Sequence, residues 1–285
     1  MIIDCHTHIF PADVVDRRAQ LVGTESTFAE MYADPKAKMA TTEELLASMD
    51  DAGVDISIAL GFAWRVHETI IRHNDYLLEA AAQSEGRIVA FCTVNMAAEA
   101  DAVAAEVARC AAAGARGIGE LRPESQGWEL NGEAGDRLAS LAREHGLILL
   151  FHVTEVGGHE YPGKAGLQLG AFYRFQMSHP DLRIVGGHLG GGLPMNAPES
   201  QASPIASHLW FDTAAQPYLY REDIYGRLMA GPFRGSLVMG SDWPLISQQR
   251  QVEAVRRALP DDEAALVLGQ NAAQLLGVQV GRASG

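Results

Sequence analysis

The segment Asp4-Cys5-His6-Thr7-His8 places two histidines two residues apart near the start of the chain. Side chains two apart on an extended strand point to the same face, so we expect both imidazoles to converge on one point. Two neutral imidazoles held side by side make half of a metal site. A histidine pair can also be a hydrogen-bonded part of a core. The pair therefore indicates a metal site only if other residues supply further ligands.

Four more candidate ligands stand at or just after the ends of short apolar runs. Glu120 ends Gly-Ile-Gly-Glu, His152 ends Leu-Leu-Phe-His, His188 ends Val-Gly-Gly-His, and Asp242 follows Met-Gly-Ser. Each has an ordinary alternative: the glutamate could pair with a neighbouring arginine, the histidines could be core residues, and the aspartate could cap a turn. Their recurrence at run after run favours a shared site. Imidazole and carboxylate ligands suit Zn²⁺, with Mn²⁺ or Fe²⁺ as alternatives.

The apolar runs have the length and composition of buried strands, and stretches with helical apolar spacing separate them. This alternation predicts parallel βα units in an α/β protein. Eight runs qualify: Ile2–Cys5, Ile56–Leu60, Ile88–Val94, Gly117–Leu121, Leu147–Val153, Arg183–Gly187, Leu209–Thr213 and Leu237–Gly240. Eight units predict a (β/α)8 TIM barrel forming a single domain over residues 1–285, in which the candidate ligands share one mouth. An open doubly wound sheet is the alternative, weakened because no nucleotide-binding glycine motif follows a run.

The predicted helices carry ordinary boundary residues. Thr41 or Thr42 can cap the first of them, with an acidic residue in its first turn, and glycines stand where five of the helices should end. The predicted helices are Thr42–Ala52, Asn74–Ser84, Glu99–Ala113, Glu133–His145, Leu167–Ser178, Arg221–Met229, Gln249–Ala258 and Asp261–Leu276.

On these residues, the sequence resembles the amidohydrolase superfamily. It is most similar to the aminocarboxymuconate-semialdehyde decarboxylase-like branch, also called the amidohydrolase-2 group. The resemblance covers almost the whole chain and rests on four segments: residues 3–11, 188–194, 240–244 and 271–277. It implies a metal-dependent barrel in which His6, His8, His152 and Asp242 bind the metal. It also implies that His188 contacts the metal-bound water or the substrate.

Two residues depart from the decarboxylase pattern. Glu120 is a carboxylate where those enzymes do not generally have one, and it resembles the fourth-strand acid that ligates metal in some hydrolytic branches. We therefore take Glu120 as a possible additional ligand. Trp243 resembles the lactone-hydrolysing relatives more than the decarboxylases.

These departures make metal-assisted hydrolysis of a small, carboxylate-bearing lactone, ester or amide the leading functional hypothesis. A bound ion lowers the pKa of its water from near 16 to about 7. Asp242 would accept the water's proton, and His188 would hydrogen-bond the attacking water or the developing oxyanion. Two alternatives stay open: a metal-dependent decarboxylase of an aromatic or unsaturated acid, and a metal-binding barrel without catalytic activity.

Substrate-binding groups are expected on loops at the same mouth. The candidates are Trp64 after the second run, Arg122 after the fourth, and His159 and Tyr161 after the fifth. A basic group facing the metal would select a substrate with a carboxylate.

Composition limits the partners. The chain has 22 Lys+Arg and 36 Asp+Glu, a net charge of −14, which disfavours nucleic acid and anionic membranes. No run reaches the roughly 18 apolar residues of a membrane span, and the first residues do not read as a targeting segment. Three cysteines without paired spacing suggest reduced thiols. We therefore expect a cytoplasmic protein with a small-molecule substrate, compatible with a homo-oligomer.

Overall fold

The computed structural model of the chain describes residues 1–155, 164, 166–196 and 207–279. Eight parallel strands pair consecutively, each with the next along the chain. They are Ile3–Thr7, Ile56–Leu60, Ile88–Cys92, Gly117–Leu121, Ile148–Phe151, Ile184–Gly186, Leu209–Asp212 and Leu237–Val238. Each predicted run is confirmed to within two residues at either end. A short separate pair, Val153–Thr154 with Leu167–Gln168, lies outside this sheet.

Backbone hydrogen bonds close the sheet between its first and last strands. The Cys5 amide donates to the Met239 carbonyl at 2.8 Å, and the Asp242 amide donates to the His6 carbonyl at 2.9 Å. The His8 amide likewise donates to a carbonyl beyond the eighth strand. This seam confirms the predicted (β/α)8 barrel and excludes the open sheet.

Two apolar clusters follow from the alternation of side chains along the strands. The inner core fills the barrel with residues such as Ile58, Phe91 and Leu150, and residues of the C-terminal helix pack against it. The outer core lies between the strands and the surrounding helices and includes Ile118 and Phe211.

The helices that follow the strands agree with the predictions in most cases. Thr42–Ala52 and Glu133–His145 have the predicted bounds, and the first of these begins with a capping box between Thr41 and Glu44. The other long helices are His67–Gln83, Ala100–Ala112, Leu169–Ser178 and Gln248–Ala258, and a continuous helical segment with a π turn runs over 261–276. Shorter helices are Pro123–Gln126, Leu193–Asn196, Gln216–Leu219 and Ile224–Met229, with 3₁₀ turns at His188–Gly192 and Arg234–Ser236.

Among the described residues, six short helices were not predicted. Three of them follow the fourth, sixth and seventh strands: Pro123–Gln126, Leu193–Asn196 and Gln216–Leu219. The other three lie between the first strand and Thr42: Ala12–Asp16, Arg18–Thr24 and Ser26–Tyr32. They are too short to show a clear helical period. They bury Phe28 and Tyr32 in an aromatic cluster beside Trp64. Among the described residues, no helix is long and apolar enough to cross a membrane.

Candidate metal centre

A local irregularity in the first strand turns its histidines toward the barrel mouth. Asp4 pairs with Ser57 and Thr7 pairs with Ala59, so the first strand advances three residues while its neighbour advances two. An extra residue of this kind changes the face on which the following side chains lie. Strand alternation alone would put His6 on the same face as Asp4, yet Asp4 lies outside the barrel, where it accepts a hydrogen bond from Gln248.

The fourth strand has the same kind of irregularity. Ile118 pairs with Leu149 and Leu121 pairs with Phe151, which again leaves one extra residue. Ile118 packs in the outer core, whereas Glu120, two residues later, reaches the mouth. The bulge therefore places the carboxylate among the histidines.

The first group of donor atoms comes from the first strand and the loop after the eighth. His6 Nε2 and His8 Nε2 lie 3.2 Å apart. Asp242 Oδ1 lies 3.8 Å from His6 Nε2 and 3.5 Å from His8 Nε2. All three side chains project toward one point at the mouth, as the sequence predicts for a pair of imidazoles and a carboxylate.

A second group is centred on Glu120. Its Oε1 lies 2.9 Å from His152 Nδ1 and 3.1 Å from His188 Nε2, and these two nitrogens are 3.0 Å apart. The same carboxylate lies 3.7 Å from His6 Nε2 and, through Oε2, 3.7 Å from His8 Nε2. Glu120 therefore joins the two groups. The predicted ligand His152 faces Glu120 and His188 through its Nδ1 nitrogen.

Burial and nearby charge shift the pKa values of the group. Burial raises the pKa of Glu120, but His152 and the other imidazoles hold it well below its usual range. Burial also raises the pKa of Asp242, which the hydrogen bond from His8 and neighbouring imidazoles bring down to about 2. Burial lowers the pKa of His188, but Glu120 raises it to about 8. These ionised carboxylates require adjacent positive charge, which imidazole protons or a divalent cation can supply.

The donor set fits such a cation. Ligands bonded at about 2.1 Å are separated by about 3.0 Å at right angles and about 3.4 Å at the tetrahedral angle. The spacings of 3.2, 3.5 and 3.8 Å among His6, His8 and Asp242 lie close to these values. Mixed imidazole and carboxylate donors are those of zinc, manganese and iron sites.

One buried side chain at the mouth was missed by the sequence analysis. Asp212 ends the seventh strand, and its Oδ2 lies 2.8 Å from His6 Nδ1. The signal was present, because an acid follows Leu-Trp-Phe just as Glu120 follows Gly-Ile-Gly.

A cavity of about 410 Å³ opens above the donor atoms. Its floor is polar, formed by His8, Glu120, His152, His188 and Asp242. Its walls come from loops after the first, seventh and eighth strands and are largely apolar, with Asp34 and the exposed Lys36 as charged members. The other lining residues are Met31, Ala37, Ala215, Tyr218, Leu219 and Leu245.

The residues predicted to bind substrate have different surroundings. Arg122 is 2% exposed, lies 3.3 Å from Glu30, and is not among the residues that line this cavity. Trp64 is fully buried in the aromatic cluster, where its indole N–H donates to His73 Nδ1 at 2.9 Å. His159 and Tyr161 lie outside the described residues.

A parallel eight-stranded barrel whose mouth gathers histidines and carboxylates has the arrangement of the barrel enzymes, whose active sites lie at that end of the strands. Within that class, residues 3–278 match the family model described as amidohydrolase. The chain belongs to this family, in agreement with the resemblance seen in the sequence. No curated protein is a significant match to the sequence.

Solved structures with the same fold include several decarboxylases. A 5-carboxyvanillate decarboxylase from Sphingomonas paucimobilis has 18% identity and a TM-score of 0.75, covering 98% of this chain and 99% of that chain. A manganese-bound 5-carboxyvanillate decarboxylase from Novosphingobium aromaticivorans has 16% identity and a TM-score of 0.78, covering 98% and 96%. A 2,6-dihydroxybenzoate decarboxylase from Rhizobium has 16% identity and a TM-score of 0.72, covering 97% and 98%.

Proposed function

We propose that this chain is a metal-dependent, non-oxidative decarboxylase of an aromatic or unsaturated carboxylic acid. The observation that carries the proposal is the cavity, in which largely apolar walls stand over a floor of imidazoles and carboxylates. Apolar walls suit a flat hydrocarbon body, and the floor suits its polar substituents. The decarboxylases that share the fold support this choice, so it replaces hydrolysis as the leading hypothesis.

The proposed metal ligands are His6, His8, His152 and Asp242, with Glu120 as a further candidate between the two groups. Zn²⁺ and Mn²⁺ both suit these donors, and manganese is bound in a structure that shares the fold. When bound, the ion would hold the substrate's oxygen atoms and withdraw electron density from them.

The chain's own residues supply the proton chemistry. Decarboxylation breaks the bond between the carboxyl carbon and the adjacent carbon, CO₂ leaves, and the electron pair stays on that adjacent carbon. A proton must then reach it. His188 is the proposed donor, because its Nε2 lies 3.1 Å from Glu120 Oε1 and that carboxylate favours a proton on the ring.

Hydrolysis is retained as a second candidate because of Glu120. The carboxylate lies between two groups of histidines, within 3.7 Å of His6 and His8 and within 3.1 Å of His152 and His188. A base in that position could also orient an attacking water.

Matched substrates separate the two reactions. Metal-stripped protein reloaded with Mn²⁺ or Zn²⁺ would be given a panel of hydroxylated benzoic acids and the methyl ester of each. We expect CO₂ from at least one acid and no methanol from its ester, with activity lost on chelation and in His188→Ala. Methanol release without CO₂ from any acid would reject the decarboxylase and support the hydrolase.

A further inference from the structure

Asp212 contacts both sides of the proposed centre. It is fully buried at the end of the seventh strand. Its Oδ2 lies 2.8 Å from His6 Nδ1. Its Oδ1 accepts hydrogen bonds from the backbone amides of His188 and Ala214, each at 3.0 Å. One carboxylate therefore holds the ring of a proposed metal ligand and the backbone of the proposed proton donor.

A glycine on the neighbouring eighth-strand end makes the close approach of Asp212 to His6 possible. A Cβ on Gly240 would lie 2.9 Å from His6 Cβ and 3.1 Å from Asp212 Cβ, so a larger residue would push the two side chains aside. Gly240 therefore leaves the room in which Asp212 and His6 meet.

We propose that Asp212 is a positioning residue that sets the binding form of His6 and the backbone of His188. Asp212 is the acceptor of the His188 and Ala214 amides, and in the same role toward His6 it takes the proton of Nδ1, which directs the lone pair of Nε2 toward the metal. This inference depends on the metal requirement of the proposed function and not on which bond the enzyme breaks.

The contact with His188 acts on the backbone. His188 has φ 56, in the left-handed region that residues other than glycine rarely occupy. Such a conformation persists only where surrounding contacts hold it. The hydrogen bond from the His188 amide to Asp212 is one of these contacts, so Asp212 helps to keep the imidazole over the cavity floor.

An asparagine separates the two contacts. In Asp212→Asn, the amide oxygen can still accept from His188 and Ala214, while the amide nitrogen would face His6 Nδ1. Two donors would then oppose each other unless His6 moved its proton to Nε2, the atom that must bind the metal. In Asp212→Ala both contacts are lost.

The neighbouring Thr213 provides a matched control. It is also fully buried, and its hydroxyl makes two 3.0 Å hydrogen bonds to the backbone of Gly240. Among the described residues, its hydroxyl makes no hydrogen bond to an imidazole. Thr213→Val should therefore lower stability while leaving metal affinity near that of the wild type.

The test measures Mn²⁺ dissociation constants on metal-stripped proteins, with circular dichroism and thermal melts to establish that each is folded. We expect Asp212→Asn to weaken Mn²⁺ binding by about 10- to 100-fold, the usual effect of removing a partner of a metal-binding histidine. Hydrogen–deuterium exchange at the His188 amide should stay slow in Asp212→Asn and become faster in Asp212→Ala.

The outcomes are distinguishable. A wild type that binds no Mn²⁺ or Zn²⁺ would reject the proposed function itself. A wild type that binds Mn²⁺, together with Asp212→Asn that binds equally well, would reject the positioning role. Equal weakening in Thr213→Val would show a general effect of buried-residue loss and would also reject it. If Asp212→Ala does not fold, the Asp212→Asn and Thr213→Val pair still decides the role of Asp212 toward His6.

Discussion

At the scale of single residues, loss of a proposed ligand should affect the metal before the fold. His6→Ala and Asp242→Ala each remove a donor atom that lies within 3.8 Å of its neighbour. We expect metal content and turnover to fall together in both variants and in His152→Ala, with the circular dichroism spectrum largely preserved. Elemental analysis of purified proteins gives the metal content. Full metal and full turnover in His6→Ala and His152→Ala would show that the site is wrongly placed.

His188 should behave differently from these ligands. It lies on the cavity floor with its Nε2 directed at Glu120 and His152. His188→Ala should keep most of the metal while turnover falls by roughly 10²-fold or more, the scale for loss of a positioned acid–base group. An equally complete loss of metal would instead make His188 a ligand and indicate a second ion.

Glu120 tests the chemistry of the floor. Glu120→Gln keeps the shape but removes the charge that raises the pKa of His188 to about 8. We expect turnover to fall and the basic limb of its pH profile to move to lower pH, because the His188 proton would be lost at lower pH. If the carboxylate has only a structural role, the variant should lose stability and keep the wild-type pH profile.

The proposed ligands could be identified from the sequence, whereas the role of Asp212 could not. His6 and His8 are visible because a two-residue spacing brings side chains together on a strand, and strand ends identify His152 and His188. Asp212 needs knowledge of what lies across the barrel, since its partner His6 is 206 residues away. A strand-end position marks an acid as a candidate, as it does for Glu120, but the residue that it contacts cannot be assigned from sequence alone.

At the scale of elements, the bulges in the first and fourth strands decide which side chains face the barrel mouth, and the apolar periodicity of the sequence does not predict them. Regular alternation would place Glu120 on the same face as Ile118, which packs in the outer core. Its position at the mouth depends on the extra residue in the fourth strand. The three short helices over 12–32 were not predicted either, because each has too few residues for an apolar pattern to repeat.

Gly119 tests this element. A Cβ there would lie 2.7 Å from both Leu150 Cβ and the Leu150 carbonyl oxygen, so the fourth strand would have to shift. We expect Gly119→Ala to cost about 1–3 kcal/mol, the usual effect of overpacking, and to lower turnover by displacing Glu120. The control is Gly226→Ala, in the helix Ile224–Met229, where a Cβ meets nothing within 4 Å. That change should be neutral or slightly stabilising in chemical denaturation. Equal melting temperatures for both variants would contradict the packing argument.

At the scale of the whole molecule, the barrel could be predicted because its eight runs alternate with helices and its helix ends carry glycines such as Gly53 and Gly146, both left-handed here. The particular hydrogen bonds that close the barrel could not be predicted, since they join residues such as Cys5 and Met239 at opposite ends of the chain. The residues of the cavity walls could not be predicted either, because they come mostly from loops, whose conformation is not indicated by any periodic apolar pattern.

His73 links the stability of the whole molecule to pH. It is buried, its Nε2 lies 2.9 Å from the Ile9 carbonyl, and its Nδ1 accepts from Trp64. This arrangement suits a neutral ring, and burial lowers the pKa of His73 to about 4. Between about pH 6.5 and 4 the unfolded chain therefore binds a proton that the folded chain does not. The contribution of His73 is fully present above this window and is lost as the pH falls through it.

The matched variant is His73→Gln, whose amide can donate to the Ile9 carbonyl and accept from Trp64 without titrating. Denaturant unfolding of metal-stripped protein at several pH values would measure its free energy of unfolding against that of the wild type. We expect the wild type to lose about 3 kcal/mol more than the variant between pH 7 and pH 4, which follows from a pKa difference of about 2.5. The carboxylates and other histidines titrate in both proteins, so they cancel in the comparison. Parallel curves would mean that His73 is protonated inside the folded protein and that the hydrogen bond from Trp64 is wrongly assigned.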